Sequence, residues 1–248
     1  MYICIAGKNE CAVNALKHLL LRKFKKSNIL VLPNNNDKGV DSWQPSLIKF
    51  AKKNNIKIIK IKNLYSLKRL FFFSLEYDKI INIKKFKSHN LFNFHFSLLP
   101  KYRGCHTNFL QIYKGEKFSG VTLHKIDSGI DTGDIIDQIK FRIKINDTAL
   151  DNYRKLMIFS TKLFKRNLNN IINNKYNLRK QILSSGRYFN KKSVNYKNKL
   201  KITMNKSSLK NHNRIRSLIF PPYQLPLVNG VKVLKSVYKN KKIYLTKS

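Results

Sequence analysis

Two periodicities share the first half of the chain, and the switches between them lay out its elements. Residues 2–6 (YICIA) form an apolar run of strand length that stops at Gly7. Residues 10–24 then carry Val13, Leu16, Leu19 and Leu20 at helical spacing. Residues 28–32 repeat the strand signal. Pro45 is placed to open a second helix, with Ser42 as its cap and Ile48 and Ala51 on its inner face. Residues 56–61 and 79–83 are predicted as two further strands. Strand and helix alternating at this rhythm predict an α/β fold with a doubly wound, mostly parallel sheet.

Beyond residue 90 the pattern becomes more specific. Phe92, Phe94 and Phe96 alternate with Asn93 and His95, so the amide and the imidazole share one face of a strand. Residues 135–143 (IIDQIKFRI) predict another strand, and Asp147 with Thr148 opens a long helix over residues 149–172. On that helix Leu156, Phe159 and Leu163 form a core-facing stripe. The Asn-rich residues 168–177 read as a boundary, dividing a larger α/β domain over 1–175 from a small β-rich module over 176–248 with a hairpin at Asn229-Gly230.

Charge changes this picture at one place. The chain has twelve acidic residues, and Asp127, Asp131, Asp134 and Asp137 fall within eleven positions. Asp-Ser-Gly and Asp-Thr-Gly are turn formers in their own right, but such concentration in a chain of net charge +39 marks the loop as a candidate site. The charge itself admits two readings. Lys, Asn, Ile, Tyr and Phe are over-used together, as an AT-rich genome imposes; yet the 97 residues after Asp151 hold 24 Lys or Arg and no acid, which suits a polyanionic ligand. Cys4, Cys11 and Cys105 are scattered thiols that suit a reducing cytoplasm and neither a disulfide scaffold nor a zinc site. The longest apolar run, near Phe71, is far below the roughly twenty residues that span a bilayer. The turn Ala6-Gly7-Lys8-Asn9 lacks the repeated glycines of a dinucleotide fingerprint.

Read whole, Asn93-x-His95, then SLLPKYRG, then Asp131 thirty-six residues after His95 inside DSGIDTGDI, resembles the folate-dependent formyltransferases. That resemblance implies 10-formyltetrahydrofolate as formyl donor, no metal, and Asn93, His95 and Asp131 as the catalytic trio. The chemistry wants these residue types, because an oxyanion develops on the formyl oxygen while the attacking amine must lose a proton. Asn93 is the expected oxyanion donor, His95 the base, and Asp131 the group that orients the imidazole. By position the resemblance also puts backbone contacts to the pterin at residues 86–90, which include Ser88, His89 and Asn90, and a wall at Ile130. Where many members carry a small residue after the histidine, this chain has Phe96.

The opening AGKN, the DSWQPS loop, and GRYFNKKS, NRIRS and FPPYQLP near the end resemble sugar-nucleotide N-formyltransferases in content and order. That implies a nucleotide-linked amino-dideoxy sugar as substrate, with dTDP-4-amino or dTDP-3-amino hexoses favoured, a GDP-linked sugar as the near variant, and a product for surface polysaccharide. Lys8 and Asn9, at the end of the first strand, are either ligand contacts or a polar turn. Trp43 either stacks on a ligand or packs the helix entrance. Arg103, Arg187, Arg216 and Tyr223 are candidates for the nucleotide, since guanidinium forks suit phosphate oxygens, or else pack the small module. The competing expectations are a methionyl-tRNA formyltransferase of reduced length, gripping tRNA through the basic tail, and a binding module that kept the fold. A homodimer through the apolar C-terminal hairpin is a further expectation.

Overall fold

The structure is a computed structural model that describes residues 1–247. In chain order the elements are β1 (Tyr2–Gly7), α1 (Asn9–Leu21), β2 (Ile29–Pro33), α2 (Leu47–Lys53), β3 (Lys57–Ile58), β4 (Leu70–Leu75) and β5 (Leu91–His95). There follow β6 (Arg103–Gly104), α3 (Thr107–Tyr113), β7 (Phe118–Lys125), β8 (Ile135–Arg142), α4 (Ala149–Ile172) and β9 (Tyr188–Phe189). The chain closes with α5 (Tyr196–Lys199), β10 (Lys201–Ile202), α6 (Leu209–Arg216), β11 (Leu227–Val228), β12 (Val231–Lys239) and β13 (Lys242–Lys247).

A seven-stranded sheet runs β3-β2-β1-β4-β5-β7-β8. Its first five strands are parallel, and β7 joins β5 antiparallel. The chain winds outward from β1 to β3 and then returns to the other side of β1 at β4. The carboxyl ends of β1 and β4 therefore mark the topological switch point, where open α/β sheets bind ligands. Gly7 permits the closest approach there, because a Cβ on it would lie 1.8 Å from the Leu75 carbonyl oxygen.

The fourth strand corrects the sequence expectation. Leu70–Leu75 (LFFFSL) is buried at every position, between β1 and β5, whereas residues 79–83 lie outside any strand and Ile83 begins a 3-10 turn. A strand covered on both faces shows no alternation, so its run reads as a generic apolar segment. The third strand is also shorter than 56–61, since the chain turns into a 3-10 helix at Ile61. Helix α2 is capped by Ser46 rather than Ser42: the Ser46 hydroxyl accepts from Lys49 N at 3.0 Å and donates to Asp37 Oδ1 at 2.6 Å. The long helix keeps its expected bounds, with Thr148 and Asp151 exchanging bonds across its first turn.

The chain divides into two compact units that interleave in sequence: residues 1–95, 121–139 and 157–183, and residues 96–120, 140–156 and 184–248. This division differs from a single boundary near residue 175. In the first unit Phe73 stacks on Phe92 at 5.4 Å and meets Phe164 of α4 edge-on at 5.2 Å, all three fully or almost fully buried. The second unit has its own core of Phe109, Leu110, Ile202, Ile215, Leu218 and Val233. It contains the sheet β10-β11-β12-β13 and the short pair β6-β9. The Asn229-Gly230 turn joins β11 to β12 as expected, both residues having positive φ.

Candidate active site

The first unit gathers a carboxylate, two imidazoles and an amide at the carboxyl end of β5. Strand alternation turns Asn93 and His95 to one face, and the antiparallel register sets Asn93 opposite His124 and His95 opposite Thr122. Asn93 Nδ2 lies 3.2 Å from Asp131 Oδ1 and 3.1 Å from His124 Nε2. His95 Nδ1 lies 3.3 Å from Asp131 Oδ2, with both side chains almost entirely removed from solvent. The three residues expected from the sequence are thus brought together, and His124 is an addition to them.

Backbone chemistry fixes the tautomer of His124. Its Nδ1 is 2.7 Å from the Lys125 carbonyl oxygen, which can only accept, so Nδ1 carries the hydrogen. In the neutral ring Nε2 is then an acceptor, and it takes a hydrogen from the Asn93 amide. Asn93 thereby directs its amide hydrogens at His124 and Asp131. His124 was discernible only through the alternation of Val121, Thr122, Leu123 and His124, a signal that becomes useful once the pairing partner of β5 is known.

Asp131 is held by its loop rather than by a strand. Its φ is 55°, in the left-handed region. Asp127 Oδ1 accepts from Gly129 N at 3.1 Å and from Thr132 Oγ1 at 2.7 Å, and Lys125 N donates to Asp134 O at 2.9 Å. Gly133 permits this closure, since a Cβ there would come within 1.9 Å of the Lys125 carbonyl oxygen. Three of the four clustered aspartates therefore have distinct side-chain tasks: Asp127 ties the loop, Asp131 faces the histidines, and Asp137 forms a fork with Arg166 at 2.7 and 2.8 Å.

The segment expected to meet a pterin lies beside this cluster in the sheet order. Ser88 is buried and its hydroxyl is committed, donating to Leu70 O at 2.6 Å and accepting from Asn90 N at 3.2 Å. The expected contacts at this segment are from its backbone, and the Ser88 side chain braces that backbone. The Asn90 carbonyl accepts from Phe72 N, and the His89 carbonyl from Lys125 Nζ at 2.6 Å. Lys125 also stands 4.7 Å over the Phe92 ring, and burial holds its pKa below the usual lysine value. Ile130, next to Asp131, is 37% exposed.

At the switch point Lys8 precedes α1, and its backbone N donates to Leu75 O at 3.3 Å. Asn9 Nδ2 donates to Glu76 Oε2 at 2.9 Å. Trp43, half-buried, sits in a braced loop: Glu10 N donates to Gln44 Oε1 at 3.0 Å and Ser46 N to Asp41 Oδ1 at 2.9 Å. These three residues belong to the first unit, as the cluster does.

The other candidates belong to the second unit. Arg103 N donates to the Arg187 carbonyl at 2.9 Å where β6 pairs with β9, and Arg103 Nε is buried with no hydrogen-bond partner among the described residues. The Arg187 side chain is exposed, and Tyr223 is 70% exposed with its ring stacked on Phe220 at 5.4 Å. Phe96, which follows the histidine, stands edge-on to Tyr153. Arg216 is 2% exposed and donates to Asn213 Oδ1 at 2.9 Å and to the Asp147 and Lys144 carbonyls at 2.7 and 3.3 Å. Burial lowers its pKa to about 10, with Asp147 opposing that shift. These bonds give the guanidinium a structural tie, the packing alternative that the sequence left open beside a nucleotide contact.

Among the described residues no group of three or more His, Cys, Asp or Glu could hold a metal ion, and no helix is long and apolar enough to cross a membrane. The profile of the Formyl transferase family matches residues 75–168, a stretch that contains the whole cluster. The chain is 46% identical to WlaRD, a sugar 3N-formyl transferase solved in the presence of dTDP and 5-N-formyl-THF, covering 100% of this chain and 97% of that one with a TM-score of 0.95. It is 50% identical to an N-formyltransferase from Helicobacter canadensis in complex with folinic acid and dTDP-3-aminofucose, covering 97% and 89% with a TM-score of 0.93. Curated relatives include the bifunctional polymyxin resistance protein ArnA of Wigglesworthia glossinidia brevipalpis, 36% identical over 69% of this chain. The methionyl-tRNA formyltransferase of Clostridium tetani is 31% identical over 73% of it. The chain spans 26% of the former's length and 62% of the latter's. With Asn93, His95 and Asp131 assembled and two relatives matched over nearly their whole length, the chain belongs to the formyl transferase family.

Proposed function

We propose that the protein transfers a formyl group from 10-formyltetrahydrofolate to the 3-amino group of a dTDP-linked 3-amino-dideoxyhexose, in the cytoplasm, giving a glycosyl donor for surface polysaccharide. The observation that carries the reaction type is the cluster of amide, imidazole and carboxylate at the end of β5, its histidines buried and its amide and carboxylate partly so. The choice of sugar rests on the near-full-length likeness, at 46 and 50% identity, to proteins described with a 3N-formyl acceptor and with dTDP-3-aminofucose. A 4-N formyltransferase from Francisella tularensis is 22% identical, a level that speaks to fold alone.

The donor, when bound, supplies a formyl group already activated on nitrogen. The residues fit that demand: the cluster offers hydrogen-bond donors and a base, and none of its four side chains is a hydroxyl or thiol nucleophile, so no acyl-enzyme is called for. His95 Nδ1 faces Asp131 Oδ2 at 3.3 Å, and we assign Nε2, on the opposite edge of the ring, to accept the proton that the attacking amine must lose. As the new C–N bond forms and the old one breaks, that proton passes to the departing nitrogen. The nearby Asp131 carboxylate steadies the imidazolium in between. Asn93 serves as the oxyanion donor by turning one of its amide hydrogens from His124 or Asp131 to the developing charge.

A formyl-transfer assay tests this reading, offering 10-formyltetrahydrofolate with a panel of dTDP-3-amino, dTDP-4-amino and GDP-amino sugars and with charged initiator tRNA. Turnover confined to the dTDP-3-amino sugars is expected; turnover only with tRNA would overturn it. We also assign Leu234 and Tyr244, 41% and 54% exposed on the β12-β13 hairpin, to contact with a second copy of the chain, which sedimentation velocity would detect as a dimer.

A further inference from the structure

The loop that presents Asp131 has a strap across its back, drawn from the segment that follows α4. There Arg179 makes an antiparallel bridge with Ile135, its N and O each 2.9 Å from the Ile135 partners. Two residues on, Gln181 Nε2 donates to the Asp131 carbonyl at 3.1 Å and to the Gly133 carbonyl at 2.6 Å. Both hydrogens of one amide thus close on the two carbonyls that flank the turn. The side chain therefore meets the turn through the donor end of its amide.

The donors converge on a residue whose φ of 55° lies in the left-handed region, which Asp enters more readily than most residues but at a cost that its surroundings must offset. Within the loop, Asp127 collects Gly129 and Thr132, and Lys125 N serves Asp134. Loss of the two Gln181 bonds would loosen the Asp131 backbone and let its carboxylate swing away from His95 and Asn93.

We propose that Gln181 is a positioning residue for formyl transfer: it clamps the turn at Asp131 so that one carboxylate faces His95 and Asn93 together. The proposal rests on the catalytic reading of the cluster. It adds a residue some fifty positions downstream of the motif, in a segment that no feature of the sequence marked as functional. A displacement of about 1 Å in such a constellation can cost on the order of a hundredfold in rate.

The test compares Gln181→Met, which keeps the shape and removes the donors, with Gln181→Lys, which keeps a donor, and Gln181→Glu, which offers only acceptors. The expected result for Gln181→Met is a fall in kcat of about tenfold to a hundredfold, with KM for both substrates and Tm little changed, and with Gln181→Lys retaining more activity than Gln181→Glu. In an Asp131→Ala background Gln181→Met should cost nothing further, since it acts only through that carboxylate. Additive effects, or an unchanged kcat in the folded Met variant, would overturn the proposal. If Gln181→Met fails to fold, the order of the Lys and Glu variants decides. Absence of turnover in the unmodified enzyme with every acceptor would count against the proposed reaction instead. The strap is then read without substrate, from the ring 15N shifts of His95 and His124, which should move in Gln181→Met as they do in Asp131→Ala; unmoved shifts would overturn it.

Discussion

Asn93 and His124 face each other across β5 and β7, with Nδ2 of one 3.1 Å from Nε2 of the other, and the direction of that bond is set by a third group, the Lys125 carbonyl. Replacing His124 with Phe would keep the ring's bulk and leave one Asn93 hydrogen with no acceptor. A buried donor left unpaired costs roughly 1–3 kcal/mol. The variant should lose that much stability in urea titration and at least about tenfold in kcat, because Asn93 would lose the partner that orients it.

Asn93 and His95 themselves should be expendable for folding and not for turnover. Asn93→Ala and His95→Ala are each expected to lower kcat by about a hundredfold or more while the circular dichroism spectrum stays native. Near-normal turnover in either would remove the role assigned to it.

Arg216 makes the opposite prediction. Its guanidinium serves the Asp147 and Lys144 carbonyls in the second unit. Arg216→Met leaves both short of a donor, at a cost of roughly 1–3 kcal/mol each, so Tm should fall by several degrees. KM for the sugar nucleotide should not change. A raised KM with unchanged Tm would restore Arg216 as a phosphate ligand.

The second unit should also lose stability in mild acid. His212 is buried, donates from Nε2 to the Ile145 carbonyl at 2.8 Å and accepts at Nδ1 from Ser236 Oγ at 2.8 Å. Burial lowers its pKa below the usual 6.5; the Ile145 carbonyl opposes the shift and Arg216 adds to it. Between 6.5 and that lower folded value the unfolded chain binds a proton that the folded chain refuses. The contribution of His212 is therefore complete above 6.5 and declines as pH falls through that window. Tm measured from pH 7.5 to 5.5 should drop, and the drop should be shallower in His212→Gln.

Salt separates the two kinds of acceptor. A sugar nucleotide presents two phosphates, so its Kd should rise only gently between 50 and 200 mM salt, whereas an acceptor gripped through many phosphates loses on the order of a thousandfold or more. Fluorescence titration with a labelled dTDP-sugar checks this; a steep slope would reassign the basic surface to catalysis.

What was legible in the sequence follows from what is local. Asn93 and His95 share a face because two residues of strand always do, the Thr148 cap and its stripe of Leu156 and Leu163 set α4, and Asn229-Gly230 dictates its own turn. Asp131 was legible through the resemblance of DSGIDTGDI, at its distance from His95, to the formyltransferases. Pairing is not local. The strand Leu70–Leu75 hides its character because it is buried on both faces, and His124 acquires its role only from the antiparallel register that sets it against Asn93. Arg216 and Arg187 look alike in sequence, yet one is buried on carbonyls and the other exposed, since burial belongs to the packing of α6 in its core rather than to the residue. Gln181 is the clearest case. The sequence by itself determined which side chains are the candidates for the chemistry: strand geometry sets Asn93 and His95 on one face, and the resemblance to the formyltransferases adds Asp131. Only the tertiary structure decided which distant side chains hold them, because hydrogen bonds between segments fifty residues apart exist only once the chain has folded.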